Sequence, residues 1–332
     1  MVRAQAGRRS CQPCLGLRLA STKTPKVIVV AGPTAAGKSA LALAIAEEFA
    51  GVIINADSQQ RFADLRVLTA RPSPGEEARA PHRLFGDLSA DQSGSAAEWA
   101  SKAADEIRKA TEAGKLPILC GGTGLYFRAL MEGLSDMPAV PSEFRDKAQA
   151  MIASIGNAEF HSRLSERDPA IAARLAPGDT QRMLRAWEVV EATGRPLSAW
   201  QQDPPIPPLA AGYFNILVLP PREELYGACD ARFQAMVAGG GLAEVKALLE
   251  RSLDLKVGAG KALGVADLAA HMAGECTLEE AVTLAQTATR QYAKRQMTWF
   301  RNQFRADLPL SKKLSASLFP EIFANIRRFL LT

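Results

Sequence analysis

The eight residues Gly32-Pro33-Thr34-Ala35-Ala36-Gly37-Lys38-Ser39 fit the spacing G-x-x-x-x-G-K-[ST], and their flanks fix the setting. The β-branched run Val27-Ile28-Val29-Val30 precedes them, and Ala40 to Phe49 follows with helical composition. Glycines let backbone amides turn inward on an anion, and the helix N-terminus adds the positive end of its dipole. Gly32, Pro33, Thr34, Ala35, Ala36 and Gly37 therefore read as a diphosphate cradle, with Lys38 on the diphosphate and Ser39 on its Mg²⁺. The spacing does not say which phosphate compound binds, or whether it is hydrolysed.

A second strand-like run, Val52-Ile53-Ile54-Asn55, ends in Ala56-Asp57-Ser58-Gln59-Gln60. A carboxylate at the carboxyl end of a strand beside a phosphate loop points into the crevice where α/β sheets bind ligands. Asp57 is thus a candidate base or Mg²⁺ partner, and equally a turn or capping aspartate. A third strand, Leu116-Pro117-Ile118-Leu119-Cys120, enters Gly121-Gly122-Thr123-Gly124, where many nucleotide hydrolases place a metal-binding Asp. Its glycines bring backbone and the Thr123 hydroxyl close to a ligand, or simply turn the chain.

From about Met137 to Ala210 the chain becomes helical in character and closes on Pro204, Pro205, Pro207 and Pro208, a stiff linker. Gln181, Arg182 and Arg185 share a helical face suited to phosphates or splayed bases, unless salt bridges to Asp179 and Glu188 occupy it. Phe214 to Leu219 reads as a returning core strand, and Arg232 beyond it as a candidate anion ligand. Near the end, Arg290, Lys294, Arg301 and Arg305 fall on one face of a helix and Tyr292 and Trp299 on the opposite one, at about 100° per residue. No acid occurs from Gln286 to Arg305, so a polyanion is the expected neighbour of the basic face.

The fold class follows: α/β, a P-loop NTPase-like parallel sheet core flanked by helices, with a helical insertion domain. Residues 26–136 form the first part of the core, 137–210 the helical insertion, and 211–332 the rest of the core with the basic C-terminal helix. The 332 residues, 47% hydrophobic, suffice for a sizeable core, and no apolar run approaches the ~20 residues of a membrane span. Five scattered cysteines, among them an isolated Cys11/Cys14 pair, and His82, His161 and His271 far apart argue against a disulfide framework or structural metal. Residues 1–26 carry six of the basic side chains and no acid, leaving the remainder near −1 against the formal net charge of +5. Residues 1–25 are expected to be a disordered extension or the product of an over-extended start; their composition also suits a mitochondrial transit peptide.

The chain closely resembles the tRNA dimethylallyltransferase (tRNA isopentenyltransferase) family from about Pro25 to Gln303. The resemblance rests on Gly32-Pro33-Thr34…Gly37-Lys38-Ser39, Asp57-Ser58-Gln59-Gln60, Thr69-Ala70-Arg71-Pro72, Gly121 to Tyr126, Gln181-Arg182…Arg185 to Val189, Thr193-Gly194-Arg195-Pro196 and the closing Thr289–Arg301 block. It implies transfer of a dimethylallyl group from dimethylallyl diphosphate to N6 of adenosine-37 in tRNAs reading codons that begin with U, with Mg²⁺ as cofactor. It further implies a cytoplasmic monomer in which the phosphate loop holds the prenyl diphosphate, not ATP. Asp57, Thr123 and Arg232 are then catalytic. Asp57, Ser58, Gln59, Gln60, Thr123, Arg145, Gln181, Arg182, Met183, Leu184 and Arg185 bind the tRNA anticodon stem-loop. The zinc-finger tail of many eukaryotic members is missing, as in bacterial-type enzymes.

Phe62, Gly178, Ala228 and Val265 depart from the family pattern, at positions expected to lie away from the phosphate loop and the base. Other classes remain open: an adenylate isopentenyltransferase acting on free nucleotides, a P-loop small-molecule kinase, and a non-catalytic RNA-binding module. The first gives the basic faces no task, the second fits poorly with Cys-Gly-Gly at a strand end, and the third leaves Asp57 idle.

Overall fold

The structure, a computed structural model, describes residues 24–135 and 137–332. The basic extension up to residue 23, with Cys11 and Cys14, lies outside the described residues. Six strands form one sheet: β1 (Lys26–Ala31), β2 (Gly51–Asn55), β3 (His82–Arg83), β4 (Leu116–Gly121), β5 (Gly212–Val218) and β6 (Leu308–Leu310). Their order is β3-β2-β4-β1-β5-β6, and every pairing is parallel. Parallel sheets are covered on both faces, so their central strands read as continuous apolar runs. This is why β1, β2 and β4 were legible from sequence, whereas the short edges β3 and β6 carry no such signal.

One face of the sheet packs Ile28, Val30, Ile118 and Ile216 against the helices Lys38–Glu48 and Phe319–Leu331. The other packs Val27, Val29 and Leu119 against Ala96–Glu112, Gly124–Met131 and Phe300. A third apolar cluster joins the helices Arg222–Met236, Leu242–Glu250, Val265–Met272 and the first half of Leu278–Gln303. The helices Ser142–Arg167 and Thr180–Thr193 bury Phe160, Leu164, Met183 and Trp187 in a separate core of their own. Among the described residues no helix is long and apolar enough to cross a membrane.

The helix Leu278–Gln303 starts at a capping box between Thr277 and Glu280. It buries Ala281, Ala285, Thr289, Ala293 and Met297, a four-residue repeat whose small members let it lie close to its neighbours.

The turn after β2 is anchored by a buried charge. Arg61 ends the 3₁₀ turn Gln59–Arg61 with a fully buried side chain. It donates to both carboxylate oxygens of Asp87 at 2.9 and 2.7 Å and to Glu98 at 3.2 Å. Trp99 stacks on Tyr126 with ring centroids 4.3 Å apart and donates through Nε1 to Asn55 O at 2.8 Å, tying the helix to the end of β2. Burial disfavours the Arg61 cation, but the hydrogen bonds to Asp87 and Tyr126 more than offset this and raise its pKa. Burial likewise pushes the Asp87 carboxyl up, and Arg61 holds it below its ordinary value.

Arg61→Met leaves Asp87 half-buried without its guanidinium and should cost about 3–5 kcal/mol, read by urea unfolding at pH 7. Because the folded Asp87 pKa is depressed, its contribution is present above the unfolded value and is lost as pH falls through the folded one. The gap between wild type and variant should therefore narrow in acid; a gap that stays constant refutes the assignment.

Candidate active site

The phosphate loop runs from the end of β1 into the helix Lys38–Glu48, and the left-handed φ of 89° at Gly37 turns its amides inward. Lys38 is 9% exposed, and its Nζ donates to Pro33 O at 2.7 Å. Burial lowers its pKa; the neighbouring Cys120 and Asp57 pull the other way. Arg232 reaches the loop from the helix Arg222–Met236 and donates to the Thr34 hydroxyl. Burial lowers its pKa as well. Ser39 is exposed at the loop's end and lines the same cleft as the Cys120 thiol, which burial pushes up to about 11.

Asp57 stands at the end of β2 in a frame built by buried Asn55. The Asn55 side chain accepts from Asp57 N at 2.8 Å and donates to Asp57 O at 2.9 Å. Asp57 Oδ1 accepts from Gln59 N at 3.0 Å. Across the crevice, Thr123 Oγ1 accepts from Ser58 N at 2.9 Å. Gln60 Nε2 donates to Thr69 O and Ala70 O at 3.0 and 2.7 Å, so this amide braces the Thr69-Ala70-Arg71-Pro72 loop. Gln59 Oε1 accepts from Leu263 N at 3.2 Å.

These residues line three adjoining spaces. A cleft of about 380 Å³ holds the phosphate loop, Asp57, Gln60, Arg71 and Arg232. It shares Thr34, Asp57, Thr69 and Arg232 with a small recess floored by Leu68, Phe233, Met236 and Leu263. The recess shares Tyr292 with an open groove of about 990 Å³ bounded by Ser58, Thr123, Arg182, Lys294, Arg295 and Trp299. Burial first and the Asp57 charge second raise the pKa of Tyr292.

Several expectations need correction. Met183 and Leu184 are buried in the insertion's core and present nothing to a ligand. Arg185 pairs with Glu188 at 2.7 Å and Arg182 with Asp179 at 3.5 Å, so the salt bridges that competed with phosphate binding do form. Arg182 nevertheless remains 75% exposed at its side chain and lines the groove, while Arg145 and Gln181 are exposed outside that lining. Arg290 pairs with Asp230 at 2.6 Å, and Arg305 lies beyond the helix, which ends at Gln303. The groove cations on this helix are instead Lys294 and Arg295, on the side of Tyr292 and Trp299. Ala228, expected away from the phosphate loop, lines the same cleft as Ala35 and Ala36.

Sequence reading did not single out Gln296. Its side chain is 6% exposed, accepts from Thr34 N at 2.8 Å and donates to Gly122 O at 2.7 Å. A Cβ at Gly122 would lie 2.4 Å from Gln296 Nε2, so the second glycine after Cys120 is there for close approach. The only local signal was a glutamine amid a basic helix, indistinguishable from the exposed Gln291 and Gln303.

Fold and site together define an α/β protein of the P-loop NTPase-like class with a helical insertion and a carboxylate between an anion cleft and a basic groove. Within that class the chain belongs to the IPP transferase family, whose model matches residues 60–303. It is 51% identical over 314 residues to a tRNA dimethylallyltransferase of Paramagnetospirillum magneticum, spanning 95% of this chain and 99% of the relative. A tRNA dimethylallyltransferase of Rhodospirillum centenum is 52% identical over 284 residues, 85% of this chain and 90% of the relative. Among solved structures, the tRNA isopentenylpyrophosphate transferase of Bacillus halodurans superposes with a TM-score of 0.67 at 29% identity, covering 92% of this chain and 96% of that one. A eukaryotic dimethylallyltransferase captured acting on tRNA gives a TM-score of 0.77 at 25% identity, covering 92% and 80%.

Lys38→Ala removes a buried cation from the cleft and should weaken inorganic diphosphate binding at least ~10-fold, about the value of one charge-assisted contact. Titration calorimetry checks this, and unaltered affinity removes Lys38 from the donor site.

Proposed function

We propose that this protein transfers the dimethylallyl group of dimethylallyl diphosphate to N6 of adenosine-37 in tRNAs reading codons that begin with U, releasing diphosphate. The observation that carries this is the position of Asp57, which lines both the anion cleft and the recess behind Tyr292 that opens to the basic groove. A donor lies in the phosphate loop with its five-carbon chain over Leu68, Phe233 and Met236. The acceptor adenosine, extruded from its stack, enters from the groove past Thr123 and Tyr292.

The C–O bond of the donor breaks with its electron pair on the diphosphate, and the C–N6 bond forms. Lys38, Arg232 and the loop amides face the charge that develops on the leaving oxygens. The exocyclic amine is a poor nucleophile until it loses a proton, and Asp57 is placed to accept it. The frame of Asn55 and Gln59 N holds that carboxylate still.

Mg²⁺ fits the donor set in one way. Among the described residues no group of three or more His, Cys, Asp or Glu side chains could hold a metal. The Ser39 hydroxyl at the loop's end, with the donor's own phosphate oxygens, would hold the ion. When bound it supplies neutralisation of the leaving diphosphate. Arg182, Lys294 and Arg295 supply tRNA phosphate contacts, and Trp299 a stacking surface.

Incubation with Mg²⁺, dimethylallyl diphosphate and unmodified tRNA, followed by nucleoside mass analysis, should give a dimethylallyl adduct at the adenosine following the anticodon. Prenylated AMP with unchanged tRNA would instead identify the nucleotide enzyme. Asp57→Asn should lower the transfer rate ~10²–10⁴-fold, the usual contribution of a general base, while tRNA binding by filter retention persists. Lost binding would move Asp57 to recognition.

A further inference from the structure

We propose that Gln296 is the positioning residue that holds the donor and acceptor halves of this site in register; the proposal rests on the transferase reading above. Its carboxamide joins two walls that are otherwise separate in sequence by about 90 residues: Thr34 in the phosphate loop and Gly122 in the turn after β4. Thr34 in turn accepts from Arg232 through its hydroxyl, on the leaving-group side. Thr123, the residue after Gly122, accepts from Ser58 N next to Asp57, on the acceptor side. One side chain thus fixes the wall that carries the donor against the wall that carries the base.

The residue type follows from the task. Thr34 N offers a donor and Gly122 O an acceptor, so the bridging group must accept with one atom and donate with its neighbour. A carboxamide does both; a carboxylate meets Gly122 O with a second acceptor, and an aliphatic chain leaves two buried backbone groups unpaired. Asparagine is one methylene short from a helix whose position is set by its buried Ala/Thr/Met stripe.

The reaction needs the leaving diphosphate oxygen, the carbon it releases and the attacking N6 nitrogen in line, with the Asp57 oxygen off that axis within hydrogen-bond reach of the N6 proton. A misplacement of about 1 Å costs roughly 100-fold in rate even when it originates away from the reacting atoms. Loss of the brace should therefore lower kcat while leaving each substrate's own contacts in place.

The test is steady-state transfer at saturating dimethylallyl diphosphate and tRNA for Gln296→Met and Gln296→Glu, beside thermal melting. Gln296→Met should lower kcat ~100-fold with both KM values within about tenfold of wild type. Gln296→Glu adds a signature that loosened packing does not give. Protonated, its carboxyl accepts from Thr34 N and donates to Gly122 O; ionised, it repels the carbonyl, and burial raises its pKa. Its kcat relative to wild type should rise as pH falls. An unchanged kcat in Gln296→Met, or a pH-independent ratio for Gln296→Glu, overturns the proposal. If Gln296→Met does not fold, the Gln296→Glu ratio decides alone. If wild type transfers no prenyl group, the transferase reading falls, and amide hydrogen exchange at Thr34 still judges the brace: it must be faster in Gln296→Met, which offers Thr34 N no acceptor, than in wild type.

Discussion

Parallel pairing of three central strands is the constraint on which this site depends. Ala31 of β1 stands opposite Gly121 of β4, and Asn55 of β2 opposite Cys120. The residues that follow these ends must therefore meet. Ala56 N donates to Cys120 O at 2.8 Å and Thr123 N to Ala56 O at 3.1 Å, so the ladder continues into the loops. The phosphate loop, Asp57 and Thr123 arrive side by side because the sheet leaves them nowhere else to go. What the register does not fix is the spacing between loops, which falls to side chains: Asn55 under Asp57, Thr123 against Ser58, Gln296 across to Thr34.

The electrostatics of the cleft are arranged for a ligand that carries its own negative charge. Lys38 and Arg232 are both withdrawn from water far enough that burial lowers their pKa values, and neither forms an ion pair with a carboxylate in the cleft. Arg61, whose side chain is fully buried, shows the alternative: two carboxylates at hydrogen-bond distance and a raised pKa. A buried cation without such partners is costly until an anion arrives. The contrast separates the arginine that holds the fold from the two cations that, in the proposed reaction, meet the diphosphate.

Much of the fold was legible in sequence because its signals are local. The phosphate loop needs only eight residues and their flanks, and β1 and β4 are unbroken apolar runs. The faces of that helix were less legible. Periodicity separated Arg290 from Tyr292 correctly, but which cations remain free depends on partners distant in sequence, such as Asp230 for Arg290. Trp299, expected opposite the basic face, packs on Gly124, Phe300 and Phe304, and close packing of the helix is added by Ala281, Ala285 and Ala293, whose smallness periodicity alone undervalues. Gln181 to Arg185 is a similar case, since one turn of helix placed Arg182 outward and Met183 inward. Gln296 and Arg61 were invisible for one reason: their meaning lies wholly in contacts made across the chain.

The basic groove bears on the choice of acceptor. Arg182 comes from the insertion, Lys294 and Arg295 from the closing helix, and Thr123 from the sheet, so three parts of the chain frame a space of about 990 Å³. A free nucleotide has its phosphate within a few ångströms of its base and can use only the few cations beside Asp57. An anticodon loop brings several phosphates spread along its backbone, and binding affinity grows with each one neutralised. The groove's separate cations, set apart from those of the phosphate loop, therefore match an acceptor whose phosphates are spread along a chain. The helical insertion, with its own core, carries Arg182 to the far rim of that groove, where the proposed reaction would use it on the tRNA backbone.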